Sequence, residues 1–255
     1  MAGPAQAAIT VVGAHPDDIE IMALPEIAGG LAGRCRLHAV VCCDGAPADG
    51  DPAVVETRRA EALAAAEVGG FRITMLARPS AAVRGAGGRE LADELRALLA
   101  ADEPEAVLTH APTDRHPTHV AVCAAVVRAL CGLSPERRPA RVLGCEVWGG
   151  LDWLGTDAVA RDVSELRDLS DRLLAFHESQ LGARRYDRGA WGRAVANAVF
   201  DDPQGDHDAA ARVLAMDLTP AIREGGPGLG TLATEAIERH RARVEAALGP
   251  YSDGG

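Results

Sequence analysis

Ala14-His15-Pro16-Asp17-Asp18 brings one imidazole and two carboxylates into a single tight turn. A second group, Asp114-Arg115-His116-Pro117-Thr118-His119, adds two imidazoles about a hundred residues later. His15 and Asp18 are three residues apart, so at the start of a helix they can face one point while Asp17 projects beside them. A catalytic zinc uses three protein ligands of N and O type and keeps one position for water, and His15, Asp18 and His119 would supply that set. Water on such an ion becomes a nucleophile near neutral pH, and Asp17 stands where a base is needed. Each group has a plainer reading by itself. Paired aspartates at a helix start are ordinarily N-caps favoured by the helix dipole, and paired histidines are common on surfaces. Both groups directly follow apolar runs, and that coincidence favours a metal site.

The elements that must carry these loops are legible in the apolar pattern. Ala8 to Gly13 reads as a buried strand that stops at the first cluster, and Ile19 to Ala32 as a helix interrupted or kinked by Pro25. Leu37 to Cys43 is a second strand, Gly45 to Pro52 a loop, and Val54 to Val68 a helix closed by Gly69 and Gly70. Arg72 to Leu76 is a third strand and Arg78 to Gly88 a loop. Arg89 to Ala101 is an amphipathic helix, Ala106 to Thr109 a fourth strand, and Thr118 to Leu130 a further helix. Arg141 to Trp148 reads as a fifth strand and Ser164 to Ser179 as a helix. Beyond about Gly182 the pattern weakens, and Ala209 to Met216, the Gly-rich Glu224 to Gly230 and a final helix over Thr231 to Leu248 define no firm topology. Strands alternating with helices at this spacing predict a Rossmann-like, doubly wound, mostly parallel α/β sheet with helices on both faces. Both clusters then lie on the rim formed by the strands' C-terminal ends. One domain over 1–255 is expected, with a catalytic core of about 8–180 and a helical or irregular C-terminal part, 181–255.

Composition excludes several function classes. A formal charge of −11 without any basic cluster argues against a nucleic-acid partner. All 26 cationic side chains are arginine, which excludes Schiff-base lysines, Ser-Lys chemistry and a P-loop lysine. The six cysteines form no C-x-x-C pair and mostly sit in apolar runs, so they read as reduced core residues of a cytoplasmic protein. No secretory leader or membrane span is expected.

With those residues in place, the chain resembles the PIG-L/LmbE family of zinc-dependent N-deacetylases, from about Val11 to Gln180. The first cluster matches that family's A-H-P-D-D motif and the second its H-P-D-H motif. Supporting matches are Ile19-Glu20-Ile21, Arg58-Arg59-Ala60-Glu61-Ala62, Asp114-Arg115 and His177-Glu178-Ser179-Gln180. The resemblance implies His15, Asp18 and His119 as ligands of zinc, or of ferrous iron in the cell, and Asp17 as general base. It further implies His116 as a protonated electrophile at the oxyanion and Arg58 as a substrate contact. The implied reaction is N-deacetylation of a small N-acyl amine, an amino sugar or glycoside foremost, in natural-product or thiol-cofactor biosynthesis. Two positions depart from the family. Thr118 stands where an aspartate would orient His116, with Asp114 a steric substitute, and Met22-Ala23-Leu24-Pro25 replaces a Gly-rich stretch.

Other residues divide between roles. Asp44, ending the second strand, can bind a sugar hydroxyl or cap the following loop. Arg58 can instead pair with Glu61 on the helix surface. His177 reads as a core or rim histidine, and Trp148 and Trp153 as packing residues that could otherwise stack on a sugar face. An amidase for thiol conjugates, or a non-catalytic binding protein on the same scaffold, stays open, as does a homo-oligomer. A dehydrogenase is disfavoured by the missing glycine fingerprint.

Overall fold

The computed structural model describes residues 6–46, 51–182, 184–201 and 208–252. Among them β1 (Ala7–Gly13), β2 (Cys35–Cys43), β3 (Arg72–Arg78), β4 (Ala106–His110), β5 (Arg141–Cys145), β6 (Val159–Asp162) and β7 (Arg212–Asp217) form one sheet, in the order β3-β2-β1-β4-β5-β7-β6. Neighbours within β1 to β5 are parallel, whereas β7 runs antiparallel to both β5 and β6. The chain winds outward from β1 through β2 to β3, then returns to the other side of β1 with β4. That reversal opens a crevice beyond the adjoining C-terminal ends of β1 and β4, where side chains from both loops can meet.

Successive strand residues point to opposite faces, and each face has its own core. Val12, Val40 and Val142 join Leu91, Leu95, Val122 and Val126 on one side. Val11, Val41 and Leu143 join Ile19, Met22, Ile27, Leu169 and Leu173 on the other. Helices therefore cover both faces, as the apolar strands require. Five of the six cysteines are buried as free thiols, and Cys131 is exposed. No helix among the described residues is long and apolar enough to cross a membrane.

Several elements differ from expectation. The helix expected over 19–32 is two helices, Asp18–Met22 and Leu24–Leu31, which meet at Ala23. Pro25 lies in the first turn of the second, where a missing N–H costs no hydrogen bond, so of its two expected effects the interruption is the one that occurs. The helix expected over 164–179 is likewise divided into Arg167–Leu174 and Glu178–Leu181. The fifth strand ends at Cys145, three residues early, and a short helix, Ser80–Arg84, occupies part of the expected 78–88 loop. After residue 182 the chain forms the helix Tyr186–Val199, then β7, then Leu229–Ser252. Of the expected 45–52 loop, residues 47–50 lie outside the described residues.

Near the N-terminal ends of the first three strands, Asp102 is held by His38 and Arg72, and also accepts from Thr10 Oγ1 at 3.2 Å. His38 Nε2 lies 2.9 Å from Thr74 Oγ1, so one carboxylate ties three strands to the end of the helix Gly88–Asp102. Burial alone would raise the Asp102 carboxyl, but the bonds from His38 and Arg72 outweigh it and hold the group below the usual carboxylate range. A lowered folded value means stabilisation that is present above the ordinary carboxylate pKa and lost as pH falls through the folded one. Asp102→Asn is expected to cost about 2 kcal/mol at neutral pH, or roughly 4–8 °C in Tm. Melting curves of the two proteins should converge in acid; a gap independent of pH would remove this role.

Candidate active site

The first loop leaves β1 at Gly13, where a Cβ would stand 2.9 Å from Ile19 Cδ1 and 3.3 Å from Asp18 Cβ. The absent side chain lets the helix start fold directly over the strand end. Asp18 then turns back, and its Oδ2 accepts from His15 N at 2.7 Å. The second loop leaves β4 at His110. Asp114 organises it, with Oδ1 accepting from His116 N at 2.7 Å and Oδ2 from Trp148 N at 3.0 Å and Gly149 N at 3.3 Å. The helix Pro117–Cys131 then delivers His119 from its first turn.

The two loops meet. His15 Nδ1 lies 3.2 Å from His119 Nε2 and 3.3 Å from Asp18 Oδ2, and His119 Nε2 lies 3.5 Å from Asp18 Oδ2. Ligands about 2.0–2.2 Å from a tetrahedral ion are separated by roughly 3.3–3.6 Å, so these atoms fit around one ion without rearrangement. His119 Nδ1 faces Asp114 Oδ1 at 3.3 Å, the carboxylate–imidazole arrangement that fixes a ring with its other nitrogen turned to a metal.

Two further imidazoles crowd the centre. His15, His116 and His119 could share an ion, as could Asp18, His110 and His119. His110 stacks on His119 with ring centroids 3.8 Å apart. Its Nε2, however, accepts the Ala14 N–H at 2.9 Å, so the lone pair nearest Asp18 is already engaged. Burial and then the neighbouring His119 lower the His110 pKa to about 4, leaving the ring neutral. His110 thus pins the end of β1 to the end of β4. It escaped sequence reading because it closes an apolar strand.

Electrostatics sort the remaining groups. Burial favours neutral forms at Asp18, but His119, His110 and His15 overcome it and hold the carboxyl well below its usual range. Asp17, one residue away, goes the other way: burial and the Asp18 charge raise it, against Tyr186, His177 and His15. Adjacent carboxyls with opposed shifts suit one to ligation and the other to proton transfer. For His15, burial lowers the pKa, but Asp18 and Asp17 more than compensate and the net shift is upward.

His116 departs from what the resemblance implied. Burial, His119 and His15 lower its pKa to about 4, so at neutral pH the ring is uncharged instead of protonated. A nearby divalent cation would push it lower still. Its Nδ1 is buried without a hydrogen-bond partner. Thr118, at the position of the family aspartate, is fully buried and its Oγ1 accepts from Arg84 at 2.9 Å. Asp114 holds the backbone of His116 and faces the ring of His119.

Arg58 stands close enough for its charge to be felt at His15, and its guanidinium donates to the Gly45 carbonyl. Asp44 caps the loop, accepting from Ala46 N at 3.0 Å, the plainer of its two expected uses. Glu61 accepts from Ser179 instead of Arg58. Behind Asp17, His177 is fully buried with Nε2 3.2 Å from the buried Glu20, which matches the core reading. Asp114→Ala should weaken divalent-ion affinity about 10–100-fold by freeing the His119 ring. Titration against a zinc chelator measures this, and unchanged affinity would remove Asp114 from that role.

Fold and centre together define a Rossmann-like α/β protein with a histidine–carboxylate cluster at its switch point. Residues 10–130, the stretch that holds both loops, match the model of the PIG-L family, described as GlcNAc-PI de-N-acetylase. Among solved structures it is similar to GalB, the 4-carboxy-2-hydroxymuconate hydratase of Pseudomonas putida KT2440, with 19% identity, 86% of this chain and 99% of that one covered, and a TM-score of 0.63. The N,N'-diacetylchitobiose deacetylase of Pyrococcus horikoshii is also similar, at 17% identity, 81% and 83% coverage and a TM-score of 0.63. A third is the A40926 pseudoaglycone deacetylase Dbv21, at 16% identity, 84% and 97% coverage and a TM-score of 0.61. At these identities the likeness concerns the fold. Curated proteins give no match.

Proposed function

We propose that this protein is a metal-dependent N-deacetylase that hydrolyses the amide of a small N-acetylated amine, an amino sugar or its glycoside foremost. His15, Asp18 and His119 hold the ion, and their mixed N/O donor set suits zinc, or ferrous iron where that is the available metal. The observation that carries the reading is the mutual spacing of those three ligand atoms, 3.2, 3.3 and 3.5 Å, drawn from two loops on neighbouring strands. When bound, the ion supplies Lewis acidity that lowers the pKa of water and polarises a carbonyl.

The chain's own residues do the rest. Asp17, left out of the ligand set and raised in proton affinity, takes a proton from the attacking water and delivers it to the departing nitrogen. His116 acts as a neutral N–H donor to the oxygen that gains charge. Asp114 fixes His119, and Arg58 at the mouth contacts the polar part of the substrate.

Two observations support a sugar amide: the family's description as GlcNAc-PI de-N-acetylase, and the likeness to deacetylases of N,N'-diacetylchitobiose and of the A40926 pseudoaglycone. The reading is tested by incubating zinc- or iron-loaded protein with N-acetylglucosamine, its glycosides and N-acylated thiol conjugates, with mass-spectrometric detection of the free amine. Metal-dependent release of acetate and amine is expected. An ion-loaded protein that hydrolyses none of them would instead be a binding protein on this scaffold.

A further inference from the structure

We propose that Trp148 and Tyr186 form a recognition wall for a flat ring borne on the amine side of the substrate, an inference that rests on the deacetylase reading above. The two rings are neighbours, with centroids 6.4 Å apart and planes at 53°. Trp148 is 41% exposed in a chain with only 3% aromatic residues. A single exposed aromatic ring is unremarkable, but these two are anchored to the catalytic frame. The backbone N–H of Trp148 binds Asp114, the carboxylate that also faces His119. The Tyr186 hydroxyl is buried near enough to Asp17 for its influence to be felt there.

That anchoring gives the wall a side. Asp17 passes its proton to the nitrogen that leaves, so rings beside Asp17 meet the amine portion of the substrate and not its acyl group. Aromatic faces reward a flat, weakly polar partner, whether the CH-rich face of a pyranose or an aryl ring. Tyr186 opens the helix Tyr186–Val199 and sets its ring beside that of Trp148.

The test uses product amines, whose binding needs no turnover: methyl 2-amino-2-deoxyglucoside, benzylamine and the acyclic ethanolamine. Calorimetry on zinc-loaded wild type should give tighter binding of at least one ring-bearing amine than of ethanolamine. Trp148→Ala should reduce that preference about tenfold, and Trp148→Phe should recover most of it for the aryl probe. Loss confined to the glucoside identifies a pyranose as the ring, and loss confined to benzylamine an aryl group. Equal weakening of all three amines, no weakening, or a wild type without ring preference overturns the wall. Ring-selective binding in a wild type that hydrolyses no N-acetyl amine would remove the deacetylase reading and leave the wall standing.

Discussion

Asp17→Asn lowers kcat by about 10²- to 10⁴-fold while the protein keeps its ion, the loss expected when a positioned general base is removed. The substitution conserves shape, so the neighbouring Asp18, which turns back onto His15, stays in place. Only the capacity to take and return a proton is lost. Burial and the Asp18 charge raise the Asp17 pKa while the bound ion lowers it, and kcat/KM should fall on its acid limb as Asp17 is protonated. Steady-state kinetics beside metal analysis of the same sample check both statements. A metal-loaded Asp17→Asn enzyme with full turnover would assign the proton transfers elsewhere.

His119→Ala and His116→Ala should fail in opposite ways. His119 is fully buried, meets both His15 and Asp18 through Nε2, and has Asp114 behind it, so its removal opens the ion site. Ion affinity should fall by at least about 100-fold, more than loss of an outer partner such as Asp114 causes. His116 has a buried, unpartnered Nδ1, and Asp114 meets it at the backbone and not at the ring. Its removal should leave the ion bound and lower kcat about 10²- to 10³-fold, as for loss of one oxyanion donor. Metal content and kcat measured on both variants separate the roles, and the converse pattern would exchange them.

The parts of the fold that repeat a local rule were legible. Continuous apolar runs marked β1, β2, β4 and the start of β5, and alternation with amphipathic helices gave the parallel core and hence the rim on which both clusters lie. The parts set by tertiary context were not. β6 has only four residues, and β7 gains its place by pairing antiparallel with β5 and β6, which no local pattern encodes. Pro25 marks an interruption or a kink, and which of the two occurs, with the break at Ala23, depends on how the chain turns there.

The centre divides along the same line. His15, Asp17, Asp18, His116 and His119 were named from residue type and spacing, and the structure brings them together. The groups that govern them were out of reach because their effect lies in distances. His110 closes a strand and so reads as core, yet it joins β1 to β4 and neighbours Asp18. Asp114 was seen only as a steric stand-in beside His116, whereas it binds three backbone N–H groups and faces His119. Arg84, exposed on a short helix, holds Thr118 where the family has an aspartate. The charge of His116 was inferred from the family and reversed by its burial among imidazoles. That a hydratase shares this fold is a reminder that chemistry follows from such groups and not from the sheet.

Anomalous diffraction at the zinc edge from zinc-loaded crystals bears most directly on the account. It predicts one peak at about 2.0–2.2 Å from His15 Nδ1, Asp18 Oδ2 and His119 Nε2, with the Asp17 carboxylate unligated beside it. A peak ligated by His110, or one that leaves His15 out, would contradict it.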